Sequence, residues 1–179
     1  MLNSAALERL DTLDLAREFD ADVVAGASGI GSMPKDADER VANVSQLMQH
    51  AAGIPLEHIH VDPLVIPISV DSSHGRHYLD AVRAIRARYG PEIHITGGLS
   101  NVSFGIPNRK LVNETFIVLA VDAGIDSAII DPVQSKLADV LAQDRTAEPF
   151  ALARAMLEGE DDYCVSYLKA FRSGRLSTK

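Results

Sequence analysis

A single cysteine, no apolar run long enough for a membrane and a deficit of positive charge set the first limits on this chain. The lone Cys164 excludes an internal disulfide and fits a reducing, cytoplasmic setting. Its context, Tyr163-Cys164-Val165, predicts core packing rather than a nucleophile. Lys and Arg number 17 against 25 Asp and Glu, a net charge of −8, which argues against nucleic acid or an anionic membrane as the main partner. The first residues carry acids and no long apolar stretch, so neither a signal peptide nor a membrane span is expected. Linkers rich in Pro, Gly or Ser, low-complexity tracts and internal repeats are also missing. What is left, at 179 residues with 46% hydrophobic and 23% charged, is one soluble globular domain with room for a substantial core.

Several catalytic signatures are missing too. Ser28-Gly29-Ile30-Gly31 invites a phosphate-loop reading, but Pro34 stands where a dinucleotide fingerprint needs its third glycine. No Lys-Ser/Thr pair follows, and acids at the next helix start would repel phosphate. No serine stands in a GxSxG elbow, so nucleophilic catalysis is unsupported. His58, His60 and Asp62 alternate along one predicted strand, with His94 on the next. A metal site there is conceivable, and so are rim histidines held by hydrogen bonds. Without an HExxH pair or a cysteine cluster, the second account is preferred and no bound metal is expected.

What is present is an alternation of strands and helices. Leu2-Asn3-Ser4 forms a strand stub, and Ala5 to Phe19 carries a loose helical stripe at Leu7, Leu10, Leu15 and Phe19. Val23 to Ala27 suits a buried strand. Pro34 marks a helix start, with Asp36, Asp38 and Glu39 in the first turns and Gly53 as the stop. Ile59 to Ile66 is strand-like. Asp71, Ser72 or Ser73 can cap a helix to about Tyr89 that buries Leu79, Val82 and Ile85. A helix over about 108–123, a short strand at Ala128-Ile129-Ile130 ending in Asp131-Pro132, and further helices to about Phe171 complete the chain. Such an order predicts parallel strands with right-handed crossovers.

The most informative stretch is Ile93 to Gly105. A β-branched run breaks at Gly97-Gly98, and the carboxamide of Asn101 and the hydroxyls of Ser100 and Ser103 follow. Both a ligand-binding strand end and a plain strand-to-helix turn fit this pattern. Asp62 also stands at a strand end, before a proline, and burial of its charge is costly without a donor. A carboxylate of this kind suits paired N–H groups of a heterocycle. Asn101 offers both a donor and an acceptor without titrating. The two residues describe a pocket for a polar planar ligand, or two ordinary loop positions.

At these residues the chain resembles the pterin-binding methyltransferases that move a methyl group from methyltetrahydrofolate to a corrinoid protein, including the folate module of cobalamin-dependent methionine synthase. The matching segments are Pro34-Lys35-Asp36 with Arg40, Val61-Asp62-Pro63-Leu64, Gly98-Leu99-Ser100-Asn101-Val102-Ser103, Asn108-Arg109 with Asn113, Ala123 to Pro132, and Tyr163-Cys164 to Tyr167-Leu168. Dihydropteroate synthases are a more distant likeness. They would need a pyrophosphate site, and the Lys/Arg cluster expected for it is not evident.

The resemblance implies an α/β fold of the TIM-type (β/α)8 kind, present only in part. Residues 1–179 would supply strands four to eight of the pterin-binding barrel and lack the first three β/α units. It implies that Asn3 and Asp62 hydrogen-bond the pterin, that Asn101 reaches N5 of the folate as the catalytic group, and that Ser103 and Arg109 join the substrate site. The methyl donor would be methyltetrahydrofolate, and the acceptor cobalamin or another corrinoid on a partner protein. A non-catalytic folate-binding half-barrel, or a fragment of a longer gene product, is the competing reading. Four strands and a stub cannot close a barrel, so exposed apolar edges and association, as a homodimer or larger, are expected.

Overall fold

The computed structural model describes residues 1–131, 133 and 135–176. Two compact units share the chain. One comprises Met1–Leu64, Asp80–Gly97 and Ala123–Ala128, the other Val65–Leu79, Gly98–Asp122 and Ile129–Lys179.

The first unit is built on a parallel sheet in the order β1 (Leu2–Ala5), β2 (Val23–Gly26), β3 (Ile59–Asp62), β4 (His94–Ile95). Helices α1 (Asp11–Glu18) and α2 (Ala37–His50) are the crossovers between the first three strands. The register aligns Asn3 with Val24, Val24 with His60 and His60 with His94. Side chains alternate between faces, so this row and the one through Asp62 share a face. The opposite face is apolar: Val23, Ala25, Ile59, Val61 and Ile95 are all buried. On the other face Asn3 is exposed and His60, Asp62 and His94 are half-buried, with Val24 buried among them. Of the apolar runs, Val23 to Ala27 is buried throughout, whereas in Leu64 to Ile68 beyond β3 Val65 and Ile68 are buried and Leu64 and Ile66 are half-buried.

Local hydrogen bonding accounts for three departures from the sequence expectations. The first helix begins at Asp11 rather than Ala5. β1 takes residues to Ala5, and Arg9 then donates through Nη2 to the Ser4 carbonyl at 2.7 Å, holding a turn. In the resulting helix Leu13 and Ala16 are buried, whereas Leu15 and Phe19 are exposed. The second helix starts at Ala37, past Pro34, because Asp36 caps it by accepting the Glu39 N–H at 2.8 Å. The strand expected at Ala128-Ile129-Ile130 is reduced to one bridge between Ile129 and Gly98. Asp126 explains this: its carboxylate accepts the Ile95 N–H at 3.0 Å, and the Ile95 carbonyl accepts from Asp126 and Ser127 at 3.3 Å each. β4 has its edge groups satisfied locally and offers little to a further strand. Pro132 lies outside the described residues.

Helix α3 (His74–Tyr89) gives its residues to Leu79 to the second unit and the rest to the first. Leu79, Val82 and Ile85 are fully buried, as their spacing predicts. The second unit also holds a short turn of helix at Leu99–Ser103, α4 (Arg109–Ala123, to Asp122), α5 (Leu137–Leu141), α6 (Glu148–Leu157) and α7 (Val165–Arg172). Tyr78 and Phe116 meet with ring centroids 5.4 Å apart in its core. Asp161 starts α7 by accepting the N–H groups of Ser166 and Tyr167, each at 2.9 Å. Cys164 is buried, and burial raises its thiol pKa, which fits the packing role read from its context. Among the described residues no helix is long and apolar enough to cross a membrane.

Candidate functional site

In the first unit, Asp62 ends β3 at the C-terminal edge of the sheet, where parallel α/β folds bind ligands. Its Oδ1 accepts the Leu64 N–H at 2.9 Å. Desolvation pushes the carboxyl up to about 6, and that one backbone donor only partly offsets the burial. Asn3 lies on the same sheet face, exposed, in the row of His60 and His94.

The backbone after Asp62 is held in an uncommon shape. Leu64 has φ of +67°, a left-handed value that costs energy for a branched side chain. Arg40, fully buried on α2, secures it. Its Nε donates to the Pro63 carbonyl at 3.0 Å, Nη1 to the Asp36 carbonyl at 2.8 Å and Nη2 to the Leu64 carbonyl at 3.4 Å. Sequence reasoning matched Arg40 to a motif and assigned it no part. The available signal was spacing: Arg40, Val44 and Leu47 fall at i, i+4 and i+7 on the buried face of α2.

The histidines divide. His58 lies in a turn before β3 and bonds Asp22 through Nδ1 at 2.7 Å, which raises its pKa. His60 and His94 stack with centroids 4.6 Å apart. Burial, then the neighbouring His94, lowers the pKa of His60. Among the described residues no group of three or more His, Cys, Asp or Glu is gathered to hold a metal.

In the second unit, Asn101, Ser103 and Arg109 come together. Leu99–Ser103 forms a turn of 3-10 helix in which the Asn101 N–H donates to the Gly98 carbonyl at 3.1 Å. A Cβ at Gly98 would stand 3.2 Å from Asn101 Nδ2, so the missing side chain leaves room for that amide. Asn101 is exposed. Ser103 is fully buried, donates to the Ser100 carbonyl at 3.2 Å and accepts from Arg109 Nε at 2.9 Å. Arg109 Nη2 donates to the Ser100 carbonyl at 3.1 Å, and its guanidinium lies 4.4 Å from the Phe104 ring centroid. The cation is therefore oriented by neutral oxygens and a ring. The predicted site residues thus form two groups, Asn3 with Asp62 in the first unit and Asn101, Ser103 and Arg109 in the second.

Comparison with known proteins follows the same residues. The chain is 32% identical over 157 residues to a methylcorrinoid:tetrahydrofolate methyltransferase of Eubacterium limosum, covering 87% of this chain and 54% of that protein. It is 30% identical over 128 residues to a methionine synthase of Mycobacterium leprae, covering 66% of this chain and 10% of that protein. The Mycobacterium tuberculosis methionine synthase is similar at 29% identity over 128 residues, covering 66% and 11%. The chain thus spans about half the length of the first relative and about a tenth of the methionine synthases. A family model described as pterin binding enzyme matches residues 1–131, from β1 through the Asn101 turn to Asp131. The chain belongs to the pterin-binding enzyme family.

Proposed function

We propose that this chain is the folate-binding part of a methyltransferase that exchanges a methyl group between N5 of methyltetrahydrofolate and the cobalt of a corrinoid carried by a partner protein, in the sense folate to cobalt. Asp62 is the observation that carries the reading. It is a half-buried carboxylate at a strand end whose hydrogen bond among the described residues comes from one backbone N–H. A pterin presents adjacent ring and amino N–H groups, and a carboxylate with spare lone pairs accepts both. Asn3, on the same face, adds an amide to the ring edge. The name of the Eubacterium relative runs from corrinoid to folate. One site serves both directions, since the transition state is shared.

The residues of this chain then have distinct tasks. N5 is a poor leaving group unless its developing charge is met, and a fixed neutral donor aimed at it meets that need. Asn101 fills that role as the catalytic residue. Ser103 serves the substrate through Arg109, which it orients. The corrinoid supplies the metal that gives or takes the methyl group. The test is methyl transfer from methyltetrahydrofolate to cob(I)alamin with the 179-residue chain. Turnover supports the reading, and absence of both turnover and folate binding overturns it.

A second reading rests on length: the chain covers 54% of its methyltransferase relative. In that reading residues 1–179 are strands four to eight of a (β/α)8 barrel, a half-barrel that binds folate without turning it over. Exposed Leu15, Phe19 and Ile30 in the first unit, and Ile129 and Leu137 in the second, favour self-association, with a homodimer as the simplest form. Measurable folate binding without turnover selects this reading. Sedimentation equilibrium at micromolar concentration tests the dimer, which a cooperative, well-folded monomer contradicts.

A further inference from the structure

Helix α7 presents more than the face it buries. Tyr167 and Ala170 are fully buried on its inner side, with Cys164 buried at its start. Val165, Leu168, Lys169 and Arg172 follow the spacing i, i+3, i+4 and i+7, so they form a second stripe on the opposite side. There Val165 is 60% exposed and Leu168 is half-buried.

The stripe runs between two adjoining grooves of the second unit, and Leu168 lines both. One groove, of about 530 Å³, carries Asp71 and Asp162 among Ile68, Val70, Ile106 and Tyr163. The other, of about 640 Å³, is bounded by Val165, Lys169 and Arg172. On the acidic side Val70 and Tyr163 are exposed. The Ser73 hydroxyl and N–H donate to Asp71 Oδ1 at 2.6 and 2.9 Å. Those bonds hold the Asp71 carboxyl below its ordinary range, so it is ionised near neutral pH. Among the described residues Asp162, Lys169 and Arg172 have no ion-pair partner. The face is therefore negative on one side of Leu168, positive on the other and apolar between.

A face of this kind is complementary to itself. A two-fold axis near Leu168 lays the Lys169 and Arg172 side of one copy over the Asp71 and Asp162 side of the other, and it makes that contact twice. Val165 and Leu168 are covered near the middle. The two α7 helices run antiparallel, which sets helix ends of opposite sign side by side. A uniformly acidic or basic partner would satisfy one groove and meet like charge at the other. Anionic membranes and nucleic acids meet the two acids as well as the chain's net charge of −8.

We infer that α7 and its two flanking grooves form a two-fold interface between copies of this chain, in which Lys169 and Arg172 of each copy pair with Asp71 and Asp162 of the other around Leu168. The inference rests on the self-association proposed above, to which it gives a surface, and it is independent of methyl transfer.

Sedimentation equilibrium of the full chain at micromolar concentration tests it, with wild type, Asp162→Arg, Arg172→Glu and an equimolar mixture of the two variants. Wild type should form a dimer that loosens as salt rises from about 0.05 to about 0.5 M, because screening acts on the ion pairs. Each variant alone sets like charges together at both contacts, and its dimer dissociation constant should rise roughly tenfold or more. The mixture brings opposite charges together at both contacts, so it should dimerise more tightly than either variant alone. A variant that merely misfolded would not be rescued in this way. A wild-type dimer indifferent to salt and to both substitutions, or a mixture no tighter than its components, overturns the interface and leaves self-association to another face. Wild-type assemblies larger than a dimer overturn the two-fold arrangement. A wild-type monomer overturns the interface and the self-association together.

Discussion

Arg40 donates through Nε to the carbonyl oxygen of Pro63 at 3.0 Å, with no part of the arginine exposed to solvent. The contact joins α2 to the backbone immediately after Asp62. Its neighbours show why an arginine stands there: one planar fork reaches the carbonyls of Asp36, Pro63 and Leu64 together. Leu64, held in the left-handed region, then directs its N–H at Asp62. Arg40 is in this sense a positioning residue for the carboxylate.

Arg40→Met should therefore cost about 2–4 kcal/mol of stability, because it leaves buried carbonyls without donors. Urea denaturation measures that loss. Arg40→Lys should recover little, since an ammonium cannot reproduce the fork. A merely structural arginine would leave the pH dependence of folate binding untouched. A positioning one should shift it, because Asp62 loses the fixed Leu64 donor and titrates at higher pH. An unchanged binding profile across pH for the folded variant would refute the positioning role.

Asp62 carries a second expectation, for which the sign can be worked out. Its carboxyl is raised from 3.8 to about 6 in the folded chain. Between those values the folded state holds more proton than the unfolded state, so this group makes stability fall as pH rises from about 4 to 6. Ligand binding runs the other way. The carboxylate must be ionised to accept paired N–H groups, so folate affinity should strengthen as pH rises through about 6. Asp62→Asn should weaken binding and flatten both dependences. Calorimetric titration at pH 5, 6 and 7 (about one unit to either side of the midpoint) reads the second effect directly. An affinity independent of pH in wild type would remove Asp62 from the pterin contact.

Gly75 in the first turn of α3 gives a prediction about packing alone. A Cβ there would clash with the carbonyl oxygen of Leu157 at the end of α6, and that neighbour is backbone. Gly75→Ala normally gains helix propensity of about 1 kcal/mol. Here it should instead destabilise by about 1–3 kcal/mol, because one helix must move away from the other. Thermal denaturation decides the sign, and a stabilised variant would show that the helices can separate freely.

How much of this was legible in the sequence depends on the range of the interactions. Parallel strands and long amphipathic helices were readable because burial imposes period on residues such as Leu79, Val82 and Ile85. The strand-end position of Asp62 was readable from the apolar run before it and Pro63 after it. The short first helix was not, since the Arg9 bond to Ser4 is a tertiary turn without a pattern of its own. The missing fifth strand was not readable either. Ala128-Ile129-Ile130 has strand composition, and a side chain two residues earlier, Asp126, occupies the edge it would use. Arg40 lies in the buried stripe of α2 but was read only as the end of a motif, since charged residues are normally found on the solvent face and a periodicity of apolar residues passes over them.

The remaining prediction concerns Asn101 and follows from how its amide is placed. The 3-10 turn fixes its backbone through the Gly98 carbonyl, and the absence of a side chain at Gly98 gives its Nδ2 the space it occupies. A donor carried on a fixed backbone loses less freedom as charge grows on N5 than one on a mobile loop, which favours transition-state stabilisation. Asn101→Ala should lower the methyl-transfer rate by about 10²–10³, with a small effect on the folate dissociation constant. Asn101→Asp should be at least as slow, because a carboxylate cannot donate and repels the developing charge. Gly98→Ala provides a milder perturbation of the same group: its Cβ would come 3.2 Å from Nδ2 and displace the amide by a few tenths of an ångström. Its rate should fall between those of wild type and Asn101→Ala. Single-turnover kinetics alongside equilibrium binding separates the two quantities for all three variants. A parallel loss of binding and rate would mean that Asn101 contacts the folate equally in ground and transition states, and an unchanged rate would remove it from catalysis.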